Sequence, residues 1–234
     1  MKKSILVYLM IAVAALFLTG GCSNSESGAE IMLSDYPHFV EIPLIRQGTT
    51  YSCGIASMHS LLRWASYNLD INDEHLMEAC GTTKESGTAY QRLLSYMQET
   101  GQLDAEWKEK MTLEEVKNAI DAGGVVMMPI QAWESKNNSA GESTAFETDD
   151  YKDYWAAGHW VIACGYNDRS VLFMDPSTAG CYTQMPWGAL DIRWHDSPDY
   201  EDGSTSFTKY EHCGLVIYKL GSEKYDPKAV KPLG

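Results

Sequence analysis

Four polar residues stand where the pattern of the chain changes, and together they could carry out nucleophilic acyl chemistry. Cys53 opens an apolar stretch with helical spacing, His159 begins a strand-like run, and Asp175 closes the next such run. A thiol at a helix start meets the positive end of the helix dipole and N–H groups without partners, which favours the thiolate. A histidine beside it can take the proton, giving a thiolate–imidazolium pair. A carboxylate on the neighbouring strand can then hold the second nitrogen of the imidazole. Gln47 lies six residues before Cys53, near enough for its side-chain amide to share an oxyanion hole with the Cys53 N–H. Two neutral donors aimed at a developing oxyanion are what acyl transfer needs.

The elements that must position these groups can be read from periodicity. Ile55, Met58, Leu61, Leu62 and Ala65 fall on one face of a helix from Cys53 to about Tyr67, with Ser52 as a candidate cap. A second helix is expected over Asp73–Ala79. Thr88–Gln91 and Thr112–Glu115 read as capping boxes, each opening a helix that a glycine ends, at Gly101 and Gly123. Ile42 to Ile45 is a short apolar lead-in with strand character. After Gly124 the texture turns to strands: Val125–Ala132, Trp160–Tyr166, Val171–Met174, Tyr182–Met185 and Leu215–Leu220. Pro129 lacks a donor and argues for an edge or a bulge in the first of these. Asn167-Asp168 turns the second strand into the third, so His159 and Asp175 belong to one hairpin. A helical first half followed by an antiparallel sheet is the α+β class.

The N-terminus reads as a separate region. Lys2 and Lys3 precede 14 apolar residues, Ile5 to Leu18, and then Thr19-Gly20-Gly21-Cys22. Basic start, apolar stretch and small residues at the cut form a secretory signal, and the run is shorter than the roughly 20 residues a spanning helix needs. Cys22 after Gly-Gly resembles a bacterial lipobox, which implies residues 1–21 as a lipoprotein-type signal, Cys22 as the lipidated residue and a cell-envelope location outside the cytoplasm; plain secretion and an uncleaved anchor are the alternative readings of the segment. Residues 22–30 are polar and read as a tether, residues 31–220 as one domain without internal repeats, and residues 221–234 as a loose tail. Setting Cys22 aside, five of the six cysteines remain. An odd number leaves at least one thiol unpaired, while Cys80, Cys164, Cys181 and Cys213 could form two disulfides or none.

Composition narrows the partners. Eighteen Lys and Arg against 32 Asp and Glu give a formal charge of −14, which repels phosphate backbones and argues against nucleic acid as a ligand. His59, His75, His195 and His212 lack paired ligand spacing and no C-x-x-C occurs, so no metal site is expected. Trp194-His195-Asp196 reads as a cluster that packs at a helix end. The 134–154 stretch carries six acids and two lysines and reads as a solvated insertion running into His159; the flanking Trp133 and Trp155 read first as packing residues and second as cleft walls.

Gln47-(x5)-Cys53-Gly54-x-Ala56, then Gly158-His159-Trp160, then Asp175-Pro176, resembles the papain-like cysteine peptidases. Within them the pattern is most similar to the bacteriocin-leader-processing (double-glycine) peptidases and their stand-alone relatives, over about Ile42 to Asp196. Ser52 stands where those peptidases often carry Asp or Asn. The resemblance implies Cys53 as nucleophile, His159 as general base and then acid, Asp175 as its orienter and Gln47 as oxyanion donor. It implies a peptide or protein substrate and no cofactor. The same residue order also serves transglutaminase-like transfer to an amine. A catalytically silent module that binds peptide or cell wall would keep the cleft without an activated thiol.

Overall fold

The computed structural model describes residues 31–132 and 149–221, apart from positions 69, 179 and 202. The expected signal, the Cys22 tether, the C-terminal tail, Trp133 and most of the acidic insertion lie outside these residues. Among the described residues no helix is long and apolar enough to cross a membrane.

In chain order the elements are β1 (His38–Phe39), α1 (Cys53–Trp64), α2 (Asp73–Cys80), α3 (Tyr90–Glu99), β2 (Leu103–Lys108), α4 (Leu113–Asp121), β3 (Val125–Gln131), β4 (Gly158–Tyr166), β5 (Ser170–Met174), β6 (Thr183–Pro186), α5 (Trp187–Arg193), β7 (His195–Asp196), β8 (Tyr210–Glu211) and β9 (Gly214–Lys219). The sheet is antiparallel throughout in the order β2-β9-β3-β4-β5-β6. β1 continues the β3 flank of β4, pairing at Gly165 and Tyr166 where β3 has ended. A separate ribbon joins β7 to β8.

Both faces of the sheet are covered, which explains the unbroken apolar run of β3. Val125 and Met127 pack with Leu61, Leu62, Leu76 and Leu93 from α1–α3 on one face. Val126, Met128 and Ile130 pack with Val116 and Ile120 of α4 and Leu190 of α5 on the other. Each such side chain contributes about 1.5–3 kcal/mol by leaving water. Pro129 sits in a central strand, not at an edge. It is tolerated because β9 pairs β3 only over Val125–Met127, so the flank beyond carries no ladder bond for the missing N–H to break.

The local signals fare unevenly. At α4 the Glu115 N–H donates to Thr112 Oγ1 and the Thr112 N–H to Glu115 Oε2, the reciprocal pair that stabilises a helix start by about 1 kcal/mol. Thr88 does not cap α3: its hydroxyl bonds the Thr82 hydroxyl at 2.8 Å, and the helix begins two residues later behind Ala89 without a side-chain cap. α1 ends at Trp64, earlier than its apolar spacing implied, because Ser66 takes φ 59° and turns the chain. The Ile42–Ile45 lead-in is irregular; the pairing strand lies before it, at β1. The helical half also contains β2, an edge strand that periodicity hid among the helices. Cys53, Cys80, Cys164 and Cys213 are free thiols, so the two-disulfide framework does not form.

Candidate active site

α1, β4 and the end of β5 bring Cys53, His159 and Asp175 to one end of the sheet, and Gln47 lies in the loop before α1. Cys53 is the first residue of α1, and no side chain caps that end: Ser52 Oγ instead accepts from the Thr49 N–H at 3.1 Å. The first helical N–H groups therefore keep their capacity to meet negative charge at Cys53. The helix is held onto β4 just beyond the histidine by Ser57 Oγ, which donates to the Trp160 carbonyl. Gly54 makes the close approach possible, since a Cβ there would lie 3.1 Å from Trp160 Cδ1.

His159 is 2% exposed and Cys53 9%, so the pair is shielded from water without being sealed. Register places Met174 of β5 opposite Ile162 of β4, and Asp175, one step on, reaches back to the histidine. His159 Nε2 lies 2.8 Å from Asp175 Oδ1, while the ring also hydrogen-bonds Cys53. Burial alone would push the imidazolium toward losing its proton. The hydrogen bonds to Asp175 and Cys53, with the negative charge on both, outweigh burial and raise the His159 pKa to about 9. Asp175 moves the opposite way. Burial favours its neutral form, but the His159 bond and charge, with the Ser177 hydroxyl and N–H donating at 2.7 and 2.8 Å, hold it below its usual range. The raised His159 pKa and the lowered Asp175 pKa together favour an imidazolium–carboxylate pair at neutral pH.

Gln47 is tied to the same corner. Its N–H donates to the Pro176 carbonyl, directly after Asp175, and its Nε2 donates to the Thr49 carbonyl at 2.7 Å. One amide hydrogen is committed to this loop and the second is left over. The other free thiols differ from Cys53 in having no base: burial pushes Cys80 up to about 11 and raises Cys164 and Cys213 further. Cys164 lies inside the sheet as a small core residue.

The thiol opens into a cleft of about 550 Å³. Tyr90 stacks on Trp107 at 3.8 Å with Tyr210 edge-on to both, forming one wall. Trp155 and Trp160 line the cleft as well, and Trp155 is also packed into the domain. Trp194 and His195 pack as anticipated, the indole donating to the Cys213 carbonyl and the imidazole to that of Tyr154. Asp196 packs too, its carboxylate against the backbone of Gly158, and the residue also lines the cleft. Sequence reasoning missed that placement and missed Gln131, which holds Asp196 from β3. The available signal was a lone glutamine ending the apolar run of β3. Among the described residues no cluster of three or more His, Cys, Asp or Glu is placed to hold a metal ion.

Among solved structures, the chain is similar to a putative C39-like peptidase from Bacillus anthracis, at 16% identity and a TM-score of 0.52, covering 78% of this chain and 96% of that one. It is also similar to a double glycine motif protease from an AMS/PCAT transporter in complex with its leader peptide, at 15% identity and a TM-score of 0.49, covering 78% and 94%. The peptidase domain of Streptococcus ComA aligns at 15% identity and a TM-score of 0.43, covering 75% and 96%. No curated protein matches. The sequence model of the Peptidase_C39 like family matches residues 39–200, and the chain belongs to that family of cysteine peptidases.

Proposed function

We propose that this protein is a membrane-tethered, extracytoplasmic peptidase that hydrolyses a peptide bond through a thioester on Cys53. The observation that carries the reading is the His159 ring, bonded to the thiol on one side and to Asp175 on the other. The Cys53 thiolate attacks the substrate carbonyl, and the oxyanion takes hydrogen bonds from the Cys53 N–H and the second Gln47 amide hydrogen. The imidazolium gives its proton to the departing amine and returns as a base. It then takes a proton from water, which attacks the thioester, and release of the acid restores the thiolate–imidazolium pair. Tethering through lipidated Cys22 rests on the Lys2–Cys22 pattern alone, and loss of the protein from the membrane fraction in Cys22→Ala is its test.

Hydrolysis is separated from transfer by the products formed from a Gly-Gly-containing leader peptide under reducing conditions, with and without added glycinamide. The expected products are a free carboxylic acid and a new amine in both cases. A dominant glycinamide adduct would make the enzyme a transferase, and no turnover of a diverse peptide library would leave a binding module.

A further inference from the structure

The cleft wall beside the thiol carries a carboxylate that the reaction does not use. Asp196 leaves the β7 strand and fills the space a side chain at position 158 would need: a Cβ on Gly158 would lie 2.4 Å from its Oδ1 and 2.7 Å from its Oδ2. The group is held there by design of the neighbouring strand. Gln131, fully buried at the end of β3, donates to Asp196 Oδ1 at 3.3 Å and to the His195 carbonyl at 3.1 Å, while its Oε1 accepts from the Ala157 N–H. Arg193 fixes the Gln131 backbone by donating to its carbonyl at 2.7 Å. The donors to the carboxylate itself, Gln131 and the Ser197 N–H, are neutral.

We propose that Asp196 is a specificity-determining residue whose carboxylate receives a cationic group of the substrate, an ammonium or a guanidinium, next to the bond attacked by Cys53. The substrate half of this statement rests on the peptidase reading above. A carboxylate taken from water and given only neutral donors favours its protonated form, and burial raises the Asp196 pKa to about 6 despite the Ser197 and Gln131 bonds and the attraction of His159. A substrate cation supplies a directly bonded charge partner, which none of the described residues provides. Among the described residues, the charged ones on the cleft lining besides Asp196 are Lys84 and Glu85. The titratable groups set against Asp196 are, among the described residues, His159 on β4, Tyr210 opposite it on β8 and Cys213 ahead of β9.

The test needs no identified substrate. Cys53 of the full chain is modified with the cationic 2-aminoethyl methanethiosulfonate and with neutral methyl methanethiosulfonate, and the ratio of the two rate constants is measured. In Asp196→Asn at pH 7.5 this ratio should fall by about tenfold, the effect expected of one nearby charge in a half-shielded cleft. In Glu85→Gln it should stay within about twofold. In the wild type it should fall as pH drops through about 6, a readout that does not depend on how the variant folds. An unchanged ratio in Asp196→Asn, or a wild-type ratio flat across that range, overturns the assignment. Slow reaction with both reagents would count against an activated Cys53 while leaving the ratio to judge Asp196. Loss, in Asp196→Asn, of Lys or Arg preference from an N-acetylated peptide library would assign the cation to a side chain; preference confined to free N-termini would assign it to the terminal ammonium.

Discussion

Peptide hydrolysis by Cys53→Ala should fall to about 10⁻⁴ of the wild-type kcat or lower, because Cys53 is the one thiol lining the cleft among the described residues and the one bonded to His159. Cys53→Ser should be nearly as inactive, since an alkoxide is far harder to form than a thiolate and the His159 base is set for a sulfur partner. The more telling outcome is the lack of additivity. His159→Ala alone should cost about 10³–10⁴, and adding it to Cys53→Ala should cost almost nothing more, because the two groups act as one unit. The measurement is kcat on a single peptide for the two single variants and the double, with circular dichroism to certify folding. Residual activity above about a tenth in Cys53→Ala, or multiplicative losses in the double variant, would mean that the reaction runs elsewhere.

The second large effect concerns Asp175. Its carboxylate does two things: it orients the ring through the 2.8 Å bond to Nε2, and its charge helps raise the His159 pKa to about 9. Asp175→Ala removes both, and kcat should drop by about 10²–10⁴. Asp175→Asn keeps an acceptor for the ring N–H but removes the charge. The sign of the pH effect follows. A raised histidine pKa keeps the ion pair intact below it, and activity declines as pH climbs through about 9. Without the Asp175 charge the imidazolium loses its proton at lower pH, so the alkaline limb should move down by about one unit in Asp175→Asn even where kcat partly recovers. Recovery of kcat with an unmoved limb would assign Asp175 an orienting role only.

The catalytic order was legible because residue type and element boundary coincide at Cys53, His159 and Asp175. A thiol opening an apolar helical face and a hairpin bounded by a histidine and an aspartate can be read one segment at a time. That the helix start faces the hairpin could not be read, since it depends on Ser57 bonding the Trp160 carbonyl and on Gly54 admitting the indole. β2 escaped notice because Leu103-Asp104-Ala105-Glu106-Trp107-Lys108 is short, half polar and wedged between helical patterns, and gains its identity only by pairing β9, more than a hundred residues away. Thr88 had the sequence of a cap, but a tertiary bond to Thr82 claimed its hydroxyl. Asp196 looked like part of a packing cluster since its neighbours Trp194 and His195 are one. Its direction is set by a glycine on another strand and a glutamine on a third.

The central claim is that His159 and Cys53 form an ion pair in the free protein, and the most direct test is the pH dependence of Cys53 alkylation by iodoacetamide. It is read site by site by mass spectrometry in reduced wild type and in His159→Ala. Cys80, Cys164 and Cys213 are buried without a base and serve as slow internal references. An ordinary thiol loses reactivity below its pKa of about 8.5, whereas a thiolate held by an imidazolium should keep reacting down to about pH 5. The account predicts that plateau in the wild type and its loss in His159→Ala. Identical profiles in the two proteins, both falling away like an ordinary thiol, would contradict it.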